Sequence, residues 1–190
     1  GGTRLLRERP DLMGALKNQE RLRALPAGTL GRTYAEFVSR EGLAADGLVE
    51  ASERMTEPDP SVPEERYWFG ARLRDMHDLW HVVTGYSRDI LGELALLAFT
   101  YEQTREPGIG YIVRNVERRI RKGDDGEVSE FLREASARGR DATLLPAADW
   151  ESLLERPLEE VREQLRLGPP PEYEQRRTPS GETAVAAAGA

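Results

Sequence analysis

Residues 76–99 read MHDLWHVVTGYSRDILGELALLAF, and this stretch decides how the chain folds. It contains His77 and His81, the only 2 histidines among 190 residues. Side chains four residues apart lie on the same face of an α-helix, so both imidazoles can point at one metal ion. Apolar residues recur at helical spacing around the two histidines, which predicts a helix over residues 64–83.

A carboxylate, Glu93, follows this helix at a distance that one straight helix cannot bridge. It lies twelve positions after His81, which corresponds to about 18 Å at a rise of about 1.5 Å per residue. The GYSRD sequence at residues 85–89 predicts a turn with Asp89 as N-cap, followed by a second helix over residues 90–104. Such a pair of antiparallel helices would bring Glu93 to the ion bound by the histidines.

We therefore predict a metal site formed by His77, Asp78, His81 and Glu93. The chain has no cysteine, so imidazole nitrogen and carboxylate oxygen are the ligands available to it. We expect a divalent ion, Zn²⁺ first, with Fe²⁺ or Mn²⁺ as alternatives. In the alternative interpretation the histidines belong to an ordinary helix and Glu93 pairs with an arginine such as Arg74.

The remainder of the chain also has helical periodicity and offers no alternating strand pattern of convincing length. We predict an all-α, single-domain helical bundle over residues 1–167, with the metal site between two antiparallel helices. From residue 168 the composition shifts to proline, glutamate, arginine and alanine, which predicts a disordered tail over residues 168–190. Further helices are predicted over residues 16–25, 33–40, 111–122, 128–137 and 158–165, and from Trp150.

Composition excludes several classes of function. The formal net charge is −7 and 32% of the residues are charged, which argues against nucleic acid as a partner because phosphate binding requires a basic surface. The longest apolar run is shorter than the roughly 20 residues that span a bilayer. No glycine-rich phosphate loop occurs. Metal-dependent hydrolases with an HExxH helix are disfavoured, since Asp78 stands where they have glutamate.

Several segments resemble one protein family. HDLWH at residues 77–81, followed by Gly85, Gly92 and Glu93, is similar to the HDxxH signature of the coenzyme Q (ubiquinone) biosynthesis protein 4 family, in which a glutamate follows after eleven residues. LPAGTLGRTY at residues 25–34 resembles that family's LPxGSLGxxY segment. The resemblance extends over residues 9–173. Leu97 and Thr100 depart from the family, which often has a lysine and an acidic residue there.

The resemblance implies an all-α, metal-binding protein of ubiquinone biosynthesis that lies peripherally on a membrane, expected here as the cytoplasmic side of the inner membrane. It implies a polyprenyl-benzoate or quinone-like lipid as ligand and other ubiquinone-biosynthesis enzymes as partners, and we expect a homodimer. The implied reaction is the oxidative decarboxylation of a prenylated benzoate precursor at C1, by a carboxy-lyase acting on a 4-hydroxy-3-methoxy-5-polyprenylbenzoate. The alternative is a non-catalytic scaffold that binds the prenyl lipid and organises the enzyme complex.

Two residues are candidates for catalytic roles beside the ion, which would act as a Lewis acid on a carboxylate or phenolic oxygen. Arg74, one helical turn before His77, would pair with a substrate carboxylate or with Asp78, and Asp78 itself would be both ligand and catalytic group. Apolar side chains such as Leu94 and Leu97 would line a channel for the prenyl tail, or would simply belong to the core.

Overall fold

A computed structural model gives the fold and describes residues 2–42, 63–123 and 126–175. Within these ranges the secondary structure is helical, apart from one isolated bridge between Thr29 and Pro157. This confirms the predicted all-α class. The helices are α1 (Gly2–Glu8), α2 (Leu12–Lys17), α3 (Gln19–Ala24), α4 (Leu30–Arg40), α5 (Glu64–Asp75), α6 (His77–Thr84), α7 (Ile90–Thr104), α8 (Pro107–Gly123), α9 (Gly126–Asp141), α10 (Trp150–Leu153) and α11 (Leu158–Leu165).

Capping residues account for two of the differences between predicted and observed helix ends. The helix predicted over residues 16–25 is divided into α2 and α3, because the Asn18 side chain accepts a hydrogen bond from the Arg21 N–H at 3.1 Å and starts a new helix. Thr29 caps α4 in the same way, so that this helix begins three residues earlier than predicted. The helix predicted over residues 64–83 is present with a one-residue break at Met76, between α5 and α6.

The chain forms two compact units, the first from residues 1–82 and 146–161 and the second from residues 83–145 and 162–190. In the first unit α3 packs against α4, and α2 packs against α5 and α10. The start of α4 is hydrogen bonded to the chain after α10, since the Leu30 and Gly31 N–H groups donate to the carbonyls of Arg156 and Leu154 at 2.9 and 2.8 Å. These bonds fix the position of α4.

One buried ion pair joins α5 to α10 in the first unit. The Arg72 side chain is 2% exposed, and its Nη1 and Nη2 donate to Oε1 and Oε2 of Glu151 at 2.7 and 2.8 Å. This paired geometry satisfies both oxygens of the carboxylate, which offsets the cost of removing two charges from water. The Arg72 guanidinium also lies 5.7 Å from the centre of the Trp68 ring.

The second unit is a helical layer in which α7 packs against α8 and α9, while α8 also contacts α9. Gly139 permits the close approach of α9 to α7, because a Cβ atom there would lie 2.7 Å from the Phe99 carbonyl oxygen. The α7 helix runs as predicted from residue 90, and Asp89 caps it by accepting hydrogen bonds from the N–H groups of Leu91 and Gly92. Among the described helices, none combines the length and apolar character needed to cross a bilayer.

Residues 166–175 form an extended segment, here called the C-terminal strap, along the turn between α6 and α7. The Tyr173 hydroxyl accepts a hydrogen bond from the Ser87 N–H and donates one to Oδ2 of Asp89, both at 2.8 Å. Arg138 donates to the carbonyls of Thr84 and Leu167 at 3.0 and 3.1 Å. The tail predicted to begin at residue 168 is therefore anchored as far as residue 175, and residues 176–190 lie outside the described residues.

Candidate metal centre

Three of the four predicted metal ligands lie together on α6. The donor atoms of His77, Asp78 and His81 all lie within 4.8 Å of one another. Two ligands that each bind one ion at about 2.1 Å are at most about 4.2 Å apart, so the group needs to contract by less than about 1 Å to close on an ion. The helical spacing of these residues explains the grouping, because positions three and four apart are surface neighbours on a helix.

The three residues of this group differ in solvent exposure. His81 and Asp78 are buried, with 1% and 7% of their surface exposed, whereas the His77 side chain is 45% exposed. The His77 Nδ1 atom lies 3.4 Å from Oδ1 of Asp78, and the two imidazole rings meet edge to face at 4.8 Å between centroids. A ligand would reach the group from the side of His77.

Side chains of α4 complete the surroundings of the group in the first unit. The Phe37 ring stacks on the His81 imidazole at 5.8 Å between centroids and an angle of 22°, which restricts the orientation of that ring. Tyr34, one helical turn earlier, is 0% exposed. Burial first, and then the negative charges of Asp78 and Asp75, raise the pKa of Tyr34 above its ordinary value.

The chemistry of this donor set fits a divalent metal ion. Two imidazoles and one carboxylate are the ligands found in many zinc and non-haem iron sites, and they need no thiolate. A carboxylate as buried as that of Asp78 is costly unless a positive charge meets it. His77, Asp78 and His81 could therefore hold a cation.

Glu93 belongs to the second unit. It is 3% exposed on α7, and its Oε1 lies 3.5 Å from Nε of Arg88, a side chain 20% exposed. The close group of donors consists of the other three residues, so the role of Glu93 as a fourth ligand stays a prediction. The arginine beside Glu93 is Arg88, whereas the alternative interpretation of the sequence named Arg74 as an example of such a partner.

Arg74, the other candidate catalytic residue, lies on the exposed side of α5. Its charge acts on the neighbouring Asp75: burial raises the pKa of that carboxyl group, and the guanidinium of Arg74 opposes this shift. A role of Arg74 toward a substrate carboxylate stays a prediction.

Comparison with known proteins gives the identity of the chain. The family model described as coenzyme Q (ubiquinone) biosynthesis protein Coq4 matches residues 1–171. The chain belongs to the Coq4 family.

Curated Coq4 relatives are similar over most of this chain. The mitochondrial ubiquinone biosynthesis protein coq4 of Botryotinia fuckeliana is 34% identical over 172 residues, which are 89% of this chain and 58% of that protein. Its counterpart in Yarrowia lipolytica is 30% identical over 176 residues, which are 92% of this chain and 64% of that protein. The chain thus spans less than two thirds of the length of these relatives.

A solved structure is similar to this chain, and the likeness concerns the fold only. It is the crystal structure of a candidate ubiquinone biosynthesis protein from Nostoc punctiforme PCC 73102, with a TM-score of 0.60 and 23% identity. The match covers 88% of this chain and 82% of that chain.

The structure gives physical reasons for the two glycines of the Coq4 signature. Gly85 has a φ of +81°, which glycine adopts without strain, and a Cβ atom there would lie 2.4 Å from Cβ of Pro170 in the C-terminal strap. At Gly92 a Cβ atom would lie 2.0 Å from the Ser87 carbonyl oxygen and 2.5 Å from the Tyr173 hydroxyl. Both glycines therefore permit the strap and the turn to pack closely.

A cavity of about 510 Å³ lies in the second unit and is lined by both apolar and acidic side chains. Leu91, Phe131 and Tyr173 contribute to its lining, together with four glutamates: Glu127, Glu130, Glu134 and Glu174. Leu91 lies on α7, where apolar side chains were predicted to line a channel for the prenyl tail, and that channel stays a prediction. Half-buried apolar side chains of α7, including Leu94 and Leu97, remain the candidates for that channel.

Proposed function

We propose that this Coq4-family protein is metal dependent and acts in ubiquinone biosynthesis on the C1 carboxyl group of a prenylated benzoate precursor, which leaves as carbon dioxide while dioxygen, as co-substrate, oxidises C1. The oxidation would require a redox-active ion such as Fe²⁺ or Mn²⁺, whereas Zn²⁺ would support only the loss of carbon dioxide. The observation that supports the proposal is the compact group of His77, Asp78 and His81, formed by the only 2 histidines of the chain. A partly buried, cysteine-free donor set of this kind in a protein of this family is best explained as a metal site.

The position of each residue in such a site follows from its burial. His81 and Asp78 hold the inner side, with the ring of His81 fixed by Phe37, while the exposed His77 closes the outer side. A divalent ion bound there, Zn²⁺ first, would supply Lewis-acid polarisation of a carboxylate or phenolic oxygen. His77, Asp78 and His81 alone leave one tetrahedral position for a ligand, whereas a site that also includes Glu93 must expand its coordination or release one donor when a ligand binds. Arg74, which is exposed, would attract the substrate carboxylate.

Metal content measured by mass spectrometry after equilibrium dialysis tests this proposal. We expect about one zinc ion per chain in the wild type, and a loss of most of it in His81→Asn and Asp78→Asn because each change removes a charged or nitrogen donor. Asp75→Asn is the matched control, since it removes a half-buried carboxylate next to the group and should keep the zinc. Undiminished zinc in His81→Asn would exclude the site.

The same assay decides whether Glu93 is a fourth ligand, which we propose from the family signature alone. Glu93→Gln keeps the size of the side chain and removes its charge. We expect a tenfold or greater fall in zinc affinity if the carboxylate binds the ion. Arg88→Gln, which changes the ion-pair partner of Glu93, is the control for electrostatic effects on the site. An unchanged affinity in Glu93→Gln would remove this residue from the ligand set.

Decarboxylation itself is tested with the purified protein and a precursor labelled at the C1 carboxyl carbon. Release of labelled carbon dioxide under air should stop when the metal is chelated and return when it is restored. Arg74→Gln should raise KM more than it lowers kcat, because an exposed guanidinium that attracts the substrate acts mainly on binding. Turnover that is indifferent to the metal and to His81→Asn would rule out a catalytic role of the group.

A non-catalytic scaffold that binds the prenyl lipid is the second candidate. It is favoured by a row of half-buried apolar side chains at helical spacing on α7: Ile90, Leu94 and Leu97. Under this proposal a polyprenyl-benzoate binds equally well with and without metal, and Leu94→Asp weakens it while His81→Asn does not. Binding that requires the metal would favour the enzyme.

We also propose peripheral membrane attachment, association with other ubiquinone-biosynthesis enzymes and a homodimer, all by analogy with the family. The exposed basic side chains of α8, Arg114, Arg118 and Arg119, and the 70% exposed Tyr111 beside them support contact with anionic headgroups. Vesicles that contain anionic lipid should bind the protein, and the binding should weaken as salt is added. Sedimentation with neutral vesicles to the same extent would contradict this surface.

A further inference from the structure

The hydroxyl group of Tyr34 is buried without a hydrogen-bond partner. Tyr34 is 0% exposed, and its hydroxyl bonds to none of the residues that the structure describes. Nearly all buried hydroxyls in native proteins are paired, because the loss of hydrogen bonds to water is otherwise uncompensated. An unpaired one in a tightly packed core needs an explanation.

Its location suggests the explanation. Tyr34 and Phe37 are one turn apart on α4, and Phe37 stacks directly on His81. The Asp78 carboxylate is close enough to act electrostatically on the hydroxyl. The helix cannot shift readily, because Leu30 and Gly31 hold its start through hydrogen bonds to the chain after α10. The hydroxyl therefore has a fixed position within electrostatic range of Asp78, on the helix that contacts His81.

A phenol is a neutral hydrogen-bond donor at ordinary pH. We propose that the Tyr34 hydroxyl donates a hydrogen bond to an oxygen atom of an anionic ligand, an aromatic carboxylate, bound at the His77–Asp78–His81 group. Tyr34 would thus be a ligand-binding residue that acts only when the site is filled. This inference rests on the proposed metal site, and it adds the residue that recognises the ligand oxygen.

Cobalt-loaded protein gives a readout that does not depend on turnover. The visible absorption of Co²⁺ changes when a ligand binds the ion, so titration with benzoate or 4-hydroxybenzoate yields a Kd for each probe. Tyr34→Phe removes one oxygen atom and keeps the ring. We expect cobalt affinity within about twofold of the wild type and a Kd for the probe raised about tenfold or more, as for the loss of one hydrogen bond to a charged acceptor.

Tyr86→Phe is the matched control. The Tyr86 hydroxyl is equally buried at 1% exposure, but it already has a hydrogen bond with Arg138 in the second unit. Its removal should lower the unfolding temperature and leave the Kd of both probes unchanged. Tyr34→Phe should leave the unfolding temperature of the ligand-free protein unchanged or slightly raised, because it removes an unpaired group.

The outcomes separate this inference from the proposed function. An unchanged probe Kd in Tyr34→Phe, or no probe binding by the cobalt-loaded wild type, overturns the inference and leaves the metal site intact. A fall in cobalt affinity in Tyr34→Phe also overturns it, since the hydroxyl would then support Asp78. Absence of cobalt from the wild type overturns the proposed metal site and the inference with it.

The two probes also identify the ligand oxygen. An equal loss of affinity for both probes in Tyr34→Phe assigns the hydrogen bond to the carboxylate, and a loss of affinity for 4-hydroxybenzoate alone assigns it to the phenol.

Discussion

At the scale of single residues, the effect of a glycine-to-alanine change on stability depends on what surrounds the glycine. Two helical glycines illustrate this. Gly31 lies in α4, and a Cβ atom there would come within 2.9 Å of the Leu154 carbonyl oxygen and 2.7 Å of the Leu25 side chain. Gly70 lies in α5 and has open space in the direction of a Cβ atom. Tight packing penalises added volume at the first site, and helix propensity favours alanine at the second.

We therefore predict opposite effects of Gly31→Ala and Gly70→Ala on stability. Gly31→Ala should lower the free energy of unfolding by about 1–3 kcal/mol, because α4 must move away from the Leu154 carbonyl. Gly70→Ala should raise it by about 0.5–1 kcal/mol. Urea denaturation of both variants beside the wild type measures the difference. A Gly31→Ala protein as stable as the wild type would show that α4 is held less tightly than these distances indicate.

At the scale of elements, buried polar contacts join segments that are distant in sequence. Tyr173 links the C-terminal strap to Ser87 and Asp89 in the turn before α7. Burial, and then the hydrogen bond to Asp89, raises the pKa of Tyr173 from 10.0 to about 12. Arg72 links α5 to α10 through Glu151. Each contact fixes two segments against one another within a single unit.

The raised pKa of Tyr173 predicts a specific dependence of stability on pH. The folded state binds the phenolic proton more tightly than the unfolded state, so the stabilisation is complete below pH 10 and is lost as the pH rises to about 12. Tyr173→Phe should cost about 1–2 kcal/mol at neutral pH, where two hydrogen bonds are lost, and progressively less above pH 10. Urea denaturation between pH 7 and 11.5 tests this. Tyr111→Phe, at a 70% exposed position, should follow the wild type throughout.

Removal of one member of the Arg72–Glu151 pair should be strongly destabilising. Arg72→Met leaves the carboxylate without its bidentate partner, and we expect a loss of about 3–5 kcal/mol in urea denaturation. The double variant Arg72→Met/Glu151→Leu should recover much of this loss, since it removes both charges. Arg156→Met, which breaks an ion pair with Glu160 whose side chains are 50% and 52% exposed, should cost less than about 0.5 kcal/mol. Similar losses for Arg72→Met and Arg156→Met would contradict the structural role of the buried pair.

At the scale of the whole molecule, metal binding and folding are linked. The His77–Asp78–His81 group is formed by the folded chain, and an ion that binds it stabilises that state by mass action. The acidic chain, with a formal net charge of −7, also attracts cations weakly and without specificity. A test of the linkage must separate the two effects.

Zinc should therefore raise the free energy of unfolding by about 2.7 kcal/mol at a concentration of 100 times its Kd. Thermal unfolding monitored by circular dichroism, with and without zinc and then with a chelator, measures the effect. His81→Asn should lose it, while Asp75→Asn, which has the same formal charge change as Asp78→Asn and leaves the donors in place, should keep it. Equal stabilisation of wild type and His81→Asn would assign the effect to surface carboxylates.

The sequence by itself determined the features that depend on local spacing. The positions of the two histidines place their rings together on any helix, the Asp89 cap and the apolar periodicity start α7 at residue 90, and the HDLWH signature indicates the family. These features follow from the rise and turn of one helix or from a short run of backbone. For this reason they were predicted without knowledge of the neighbouring elements.

Only the tertiary structure decided which distant side chains surround those positions. Phe37 and Tyr34 have the spacing of an ordinary apolar face of α4. In the structure, however, Phe37 stacks on His81, and the Tyr34 hydroxyl has no hydrogen-bond partner within residues 2–42, 63–123 and 126–175. The sequence pattern also did not predict that Glu93 pairs with Arg88 or that Tyr173 anchors the strap. Contacts across tens of residues depend on how helices pack and on which buried polar groups find partners, and neither has a fixed spacing along the chain.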